Sequence, residues 1–341
     1  MVTQLVPEKY SRQVLFRGIG RAGQEKLLSS RVAIVGCGAL GSYQAAALVR
    51  AGVGELRIID RDYVEESNLQ RQSLFEENDA AESLPKAIAA ETRLKRANSQ
   101  VCVRGIVADL TSSNAASLLA GVDMLLDGTD NFETRYLLND WSVQQATPWI
   151  YGAAVGSYGI TMTVIPGKTP CLGCVFPEQP SGVYPTCDTE GILNSAASAV
   201  ASIQVTEALK LLVGDGASLH GKLLSFDVWE NRFHALEPGP ASASCRTCGR
   251  REFTYLTANG SRPVKLCGRN SVQIHERKVP LDFAALESKL KQCGTVRANR
   301  FVMKFLVDSY EMTIFSDGRA IIKGTENTRV AQELYARYIG V

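Results

Sequence analysis

The sequence predicts an α/β protein, a doubly wound parallel sheet followed by a small α+β domain at the C-terminus. Three observations predict it. Apolar strand-like runs alternate with helix-like stretches through the first 150 residues, the pattern of a parallel sheet with crossover helices. A G-x-G-x-x-G turn, GCGALG at 36–41, joins the first run to the first long helix, which makes the sheet Rossmann-like. Beyond residue 260 the pattern changes to short strands and two helices. At 341 residues the chain exceeds one ordinary domain, and it divides into a nucleotide-binding domain over 1–255 and the small domain over 260–341.

The elements follow in order. Residues 8–29 read as one or two short helices. VAIVG (32–36) is a strand, and ALGSYQAAALVRAG runs as a helix to Gly52. ELRIID (55–60) is the second strand and ends on an acid. After a polar loop, Pro85 opens a helix, PKAIAAETRLKRA, as proline at a first helical position does. VCVRGIV (101–107) and VDMLLD (122–127) are buried strands separated by a short helix. NFETRYLLNDWSVQQA (131–146) is a helix and PWIYGAAVG a strand. ITMTVIPG (160–167) has strand composition, 176–191 is a long loop with three prolines, and 192–214 is a helix rich in small residues. LLSFDVWENRFHAL (223–236) fits two strands or a bent one. In the tail come a strand at VQI, a helix around LDFAALESKLKQCG, strands at RFVMKFLVD and YEMTIFSDGRAIIKG, and a final helix.

Composition narrows the function classes. Hydrophobic residues at 45% and charged residues at 21% describe a globular protein with a sizeable core. The net charge of +2, with basic residues scattered, gives no nucleic-acid footprint. The start lacks the apolar h-region of a signal peptide, and no apolar run approaches the roughly 18 residues a membrane span needs. The expectation is a cytoplasmic protein without membrane or nucleic-acid partners. Three histidines, none in a recognisable motif, make imidazole base chemistry an unsuitable centre for a mechanism.

The glycine turn, its strand and helix, and Asp60 at the ribose position together mark a nucleotide site, with Gly36, Gly38 and Gly41 as its glycines. An NAD-dependent oxidoreductase is one reading. A triphosphate attacked at phosphorus needs more: cations for its oxygens and a carboxylate for magnesium. Arg71, Lys86 and Asp130, near the carboxyl ends of successive strands, provide that set. Each also has a plain reading, since Lys and Arg are usually solvated and Asp130 could cap the helix that follows. A non-catalytic binding module is a further alternative.

GCGALG, IIDRDYVEESNLQRQ (58–72), LPK (84–86), DGTDNFETRYLLND (127–140), YSRQ (10–13), the two C-x-x-C pairs and PTCDTEG (185–191) resemble the ubiquitin-activating-enzyme superfamily, and within it the ThiF/MoeB adenylyltransferases. The resemblance runs in unbroken order from residue 8 to about 255, and the tail resembles the extra domain of longer ThiF-type proteins. One departure is Ala39, where many members carry glycine. What the resemblance implies is adenylation of the C-terminal Gly-Gly carboxylate of a ubiquitin-fold sulfur carrier by ATP. The thiamine-type carrier is favoured on the C-terminal domain, with a molybdopterin-type carrier as the alternative. The attacking carboxylate is already ionised at neutral pH and needs no general base. By matching motifs Asp60 would hold the ribose, and Asp62, Ser67, Asn68, Leu69, Gln70, Arg71, Gln72 and Asn131 would line the nucleotide. Arg71 and Lys86 would neutralise phosphate charge, and Asp130 would coordinate magnesium. Arg12 would reach the partner subunit's triphosphate, which implies a homodimer.

Nine cysteines without a secretory leader point to metal or reactive thiols. Cys171, Cys174, Cys245 and Cys248 form two C-x-x-C pairs able to supply four thiolates to a structural zinc ion. The intervening 70 residues exceed zinc-finger spacing, so only folding can unite the pairs, and a dithiol redox role is the alternative. Cys187, in the proline-containing loop, matches a cysteine that in ThiF-type relatives takes part in sulfur transfer, and in MoeB-type relatives is dispensable. The expected sulfur donor is a cysteine desulfurase or a rhodanese-like protein.

Overall fold

The structure, a computed structural model, describes residues 7–177, 189–257, 264–266, 270–274 and 281–340. Cys187 and Cys267 lie outside the described residues. The chain forms two compact units, one of Met1–Ala81 with Lys86–Ala258, the other of Glu82–Pro85 with Asn259–Val341.

The first unit is built on strands β1 (Arg31–Val35), β2 (Glu55–Asp60), β3 (Cys102–Val107), β4 (Met124–Asp127), β5 (Trp149–Val155), β6 (Tyr158–Val164), β7 (Leu223–Asp227) and β8 (Arg232–Leu236). They form one sheet in the order β3-β2-β1-β4-β5-β6-β7-β8. The five strands from β3 to β5 are parallel. The sequence predicts parallel strands where they alternate with helices, through about residue 150, and leaves the direction of the later strands open: β6, β7 and β8 continue antiparallel. The reason is local. Only Gly156 and Ser157 separate β5 from β6, and Gly156 takes φ +57°, so the chain reverses in a hairpin rather than crossing over. β7 and β8 turn likewise, with Asn231 at φ +54° and Asp227 Oδ1 accepting from the amides of Trp229 and Glu230 at 2.9 and 3.1 Å.

Helices cover the parallel strands. Ala39–Ala51 and Asn194–Val213 each end on a glycine in the left-handed region, Gly52 and Gly214. Lys86 opens the helix to Ala97, one residue later than the proline suggests. Asn194–Val213, at 20 residues and a mean hydropathy of 1.4, is long and apolar enough to cross a membrane by length and composition. This corrects the expectation that no run approaches that size. The helix packs on β5, β6 and the helix Ala39–Ala51, and it carries buried Gln204 and Glu207, whose polar atoms find partners inside the unit. One core gathers Val35, Ile59, Leu125, Tyr136, Leu138, Trp141, Trp149 and Tyr151 beneath the strands.

The second unit holds β9 (Val264–Leu266), β10 (Ser271–Ile274), β11 (Thr295–Ala298), β12 (Val302–Val307), β13 (Tyr310–Phe315) and β14 (Ala320–Lys323). They make an antiparallel sheet ordered β11-β12-β13-β14-β10-β9. Three of these strands are not separate in the sequence pattern: β9, β11, and β14, which splits from β13 at a turn where Gly318 takes φ +87°. The helices Phe283–Leu290 and Thr328–Tyr338 are capped by Asp282 and Asn327 side chains. They close on a core of Val272, Ile274, Met303, Phe305, Met312, Ile314, Leu290 and Tyr335.

Candidate active site

The carboxyl ends of β1, β2 and β4 meet at the glycine turn, where the Gly36 amide donates to the Ile59 carbonyl and the Gly128 amide to the Val35 carbonyl. Gly36 takes φ +88°, and a methyl there would sit 2.5 Å from the carbonyl of Gly128. At Gly41 a methyl would lie 1.8 Å from the Gly36 carbonyl, so that glycine lets the helix close on the turn. Gly38 differs. A methyl at Gly38 would meet nothing nearer than Gln72 Nε2, 3.9 Å away. The protein itself does not require glycine there, and the space in front of it stands at a helix N-terminus, where amides favour an anion. Ala39 opens the helix with no strain of its own.

The acids and cations crowd beside this turn. Asp60, 8% exposed, accepts from the amides of Cys37 at 2.5 Å and Asp62 at 2.7 Å. Burial pushes its carboxyl up while Lys86 pulls it back. Lys86, 4% exposed, directs Nζ to Asp62 Oδ2 at 3.3 Å and donates its amide to the Asp62 carbonyl. Asn68 is buried in a reciprocal cap with Glu65, and Arg71 donates to the Ser67 carbonyl at 2.8 Å. Ser67 and Gln70 are exposed, Leu69 half-buried. Gln72 is 4% exposed and its Oε1 has no partner among the described residues. A buried acceptor without a donor costs about 1–3 kcal/mol, so Gln72 Oε1 fits a ligand group that donates a hydrogen bond, beside the anion-favouring space at Gly38.

Asp130 is exposed after β4. Capping of the next helix falls to Asn131, whose side chain accepts from the Thr134 amide at 2.9 Å and donates to Asp130 Oδ1 at 3.3 Å. The cap therefore does not account for Asp130. Arg12 lies exposed on the helix Ser11–Leu15 and makes no ion pair among the described residues; the structure does not bring it to the other site residues. Beside it Leu15 and Phe16 are 73% and 64% exposed.

Sequence reasoning missed several groups here. Arg61 bonds Asp109 at 3.1 and 3.3 Å. Burial opposes its charge, but the carboxylates of Asp109, Asp62, Asp130 and Asp60 outweigh that and raise its pKa. Beneath the turn, Asp127 and Arg135 pair at 3.3 Å with both side chains buried. Gln44 and Gln204 both donate to the Asp127 carbonyl, at 2.9 and 3.0 Å. The one signal available was polar residues inside apolar runs, MLLD and ASIQVTEAL.

The two cysteine pairs do converge. Cys171 and Cys245 sulfurs are 3.6 Å apart, Cys174 and Cys248 3.3 Å, Cys171 and Cys174 4.0 Å, and all four lie within 4.8 Å. A tetrahedral zinc ion with Zn–S near 2.3 Å sets sulfurs about 3.8 Å apart, so the donor set fits zinc with no coordination position left open. The helix Phe132–Gln145 holds the cluster in place. Asn139 Oδ1 accepts from the Leu172 amide at 2.9 Å, and the buried Asp140 accepts from Thr247 Oγ1 at 2.7 Å and the Tyr255 amide at 3.0 Å.

A glycine turn at a sheet's carboxyl edge, an acid-and-cation set and a four-cysteine cluster mark a nucleotide-binding α/β protein. Residues 10–247 match the ThiF family, and the chain belongs to that family. It is 46% identical over 336 residues to the sulfur carrier protein ThiS adenylyltransferase of Bacillus subtilis (strain 168), covering 97% of this chain and 99% of that protein. It is 40% identical to the SAMP-activating enzyme E1 of Haloferax volcanii, covering 72% of this chain and 90% of that one. Among solved structures, Escherichia coli MccB with ATP superposes with a TM-score of 0.61 at 23% identity, over 72% of this chain and 75% of MccB, which is a likeness of fold.

Proposed function

We propose that this protein adenylates the C-terminal glycine carboxylate of a ThiS-type, ubiquitin-fold sulfur carrier, consuming ATP and releasing pyrophosphate. The observation that carries the reading is the 46% identity to the Bacillus subtilis ThiS adenylyltransferase along nearly the full length of both chains, the C-terminal unit included. ATP lies with its phosphates over the amides of the glycine turn, in the room that Gly38 leaves. Asp60, with Asp62, holds the ribose, and Ser67, Asn68, Leu69, Gln70, Gln72 and Asn131 line the nucleotide. The carrier's carboxylate attacks the α-phosphorus, pyrophosphate leaves, and the acyl-adenylate is then open to a sulfur nucleophile. Two anions must meet, so the catalytic requirement is positive charge and orientation. Lys86, low in the site, and Arg71 face the phosphates. Magnesium, held by Asp130, would offset triphosphate charge.

Arg12 makes no ion pair among the described residues and stands beside exposed Leu15 and Phe16, which supports its service in trans within a homodimer. Exposed Tyr158, Trp229, Phe233 and Leu236 on the antiparallel edge offer the carrier an apolar surface. Zinc on the four cysteines is structural. Cys187 takes sulfane sulfur from the persulfide of a cysteine desulfurase or a rhodanese-like protein, whose thiol leaves; the Cys187 persulfide then attacks the acyl-adenylate, AMP leaves, and a thiol reductant cleaves the resulting acyl disulfide to the thiocarboxylate. The seven described cysteines are all free, which suits a reducing cytoplasm.

The test is ATP–pyrophosphate exchange by the purified protein with magnesium, adding a thiamine-type or a molybdopterin-type carrier. Exchange dependent on the thiamine-type carrier is expected. Faster exchange with the molybdopterin-type carrier would reassign the pathway, and none with either would overturn the reading.

A further inference from the structure

The pair Asp127–Arg135 is built around the turn that presents Asp130. Arg135 is 7% exposed in its side chain and Asp127 0%. Arg135 Nε faces Asp127 Oδ2 at 3.3 Å, and its terminal NH2 nitrogen donates to the carbonyl of Thr129 at 2.8 Å and of Gly152 at 3.5 Å. Asp127 Oδ1 accepts from both the amide and the hydroxyl of Thr129, at 2.9 and 2.7 Å, and Oδ2 from the Gly152 amide at 3.4 Å. From below, Gln44 and Gln204 hold the Asp127 carbonyl, and Gln44 also donates to Gln204 Oε1 at 2.6 Å.

The connections form a closed ring. β4 ends at Asp127, the turn passes Gly128 and Thr129, Asn131 caps the helix, and that helix returns Arg135 to the start of the turn. Residues 127 and 129 are fastened from both sides, so Asp130, the next residue, projects from a backbone with little freedom to move. Pairing also matters electrostatically. Arg135 lies close enough to feel the Asp130 carboxylate, and an unpaired guanidinium there would repel a cation. Its partner Asp127 cancels that charge.

We propose that Arg135, with Asp127 and Thr129, is a positioning clamp that fixes the Asp130 carboxylate for the divalent cation accompanying the triphosphate. The inference rests on the reading of Asp130 given above and extends it to residues that touch neither nucleotide nor metal. Thr129→Val removes one clamp hydrogen bond while keeping the shape of the side chain. Arg135→Lys keeps the charge and loses the fork that spans Asp127 and Thr129.

The test uses the full-length protein with α,β-methylene-ATP and Mn2+ as the probe, free Mn2+ being read by its electron paramagnetic resonance signal. Thermal midpoints and the KM for the carrier are measured alongside, with Asp130→Asn as reference. The expected result is about tenfold weaker Mn2+ binding in Thr129→Val and Arg135→Lys, with carrier KM unchanged. The midpoint of Thr129→Val should stay within a few degrees of wild type. Wild-type Mn2+ affinity in a folded Thr129→Val protein, with Asp130→Asn weakened, would overturn the clamp alone. Wild-type affinity in Asp130→Asn would overturn it through the assignment of Asp130 itself.

Discussion

Two glycines of one motif should fail in opposite ways. In Gly41→Ala the new methyl would sit 1.8 Å from the Gly36 carbonyl. An ordinary carbon–oxygen contact is roughly 3.3 Å, so about 1.5 Å of movement is required between a helix and a backbone turn. Gly36 cannot yield, because at φ +88° its own carbonyl is pinned beside Gly128. We expect a loss of about 3 kcal/mol or more, which for a unit of this size lowers Tm by roughly 6–12 °C. In Gly38→Ala the methyl meets nothing within 3.9 Å and stability should change by less than about 1 kcal/mol. The same methyl occupies the room proposed for phosphate and should raise the KM for ATP about 10- to 100-fold, equivalent to about 1.4–2.7 kcal/mol. Thermal melting and pyrophosphate exchange over a range of ATP concentrations measure both. A Gly38→Ala protein that melts as low as Gly41→Ala, or that keeps the wild-type KM for ATP, would refute this division of roles between the two glycines.

Further outcomes follow from the same geometry. Lys86→Met should lower exchange about 100-fold with the carrier KM little changed, because a buried cation facing anionic phosphates is lost; exchange within a factor of three of wild type would argue against that role. Chelation of metal, or Cys171→Ser, should lower the thermal midpoint and release one zinc per chain, measured by elemental analysis and calorimetry. Zinc retention should weaken as pH falls. Burial lifts the Cys171 thiol to about 11, so a proton competes with the metal at every pH below that, and acidification favours the proton. Asp140→Asn should destabilise the protein by about 3 kcal/mol in denaturant titration, since its carboxylate ties Thr247 and the Tyr255 amide to the cysteine cluster. A midpoint equal to wild type would show the anchor to be dispensable.

The sequence by itself determined what depends on spacing along a continuous segment. VAIV, GCGALG and a helix ending at Gly52 specify a strand, a turn and a helix, because only glycine tolerates φ +88° at 36 and contact at 41. The five parallel strands were legible for the same reason, as apolar runs set between helices. The antiparallel half was not, because a two-residue hairpin at Gly156 and a crossover are distinguished by which neighbour the strand finds.

Tertiary structure alone decided the rest. Two C-x-x-C pairs name four sulfur ligands, but their meeting depends on Asn139 and Asp140 presenting acceptors to amides and a hydroxyl 33 to 115 residues away. Asp127 and Arg135 look like any acid and base in their segments, and Gln44 and Gln204 stand 160 residues apart. A polar side chain in an apolar run reads alike whether it faces water or a partner. Burial separates the two cases, because a polar group withdrawn from water must be paired, and the partner is supplied only by the fold.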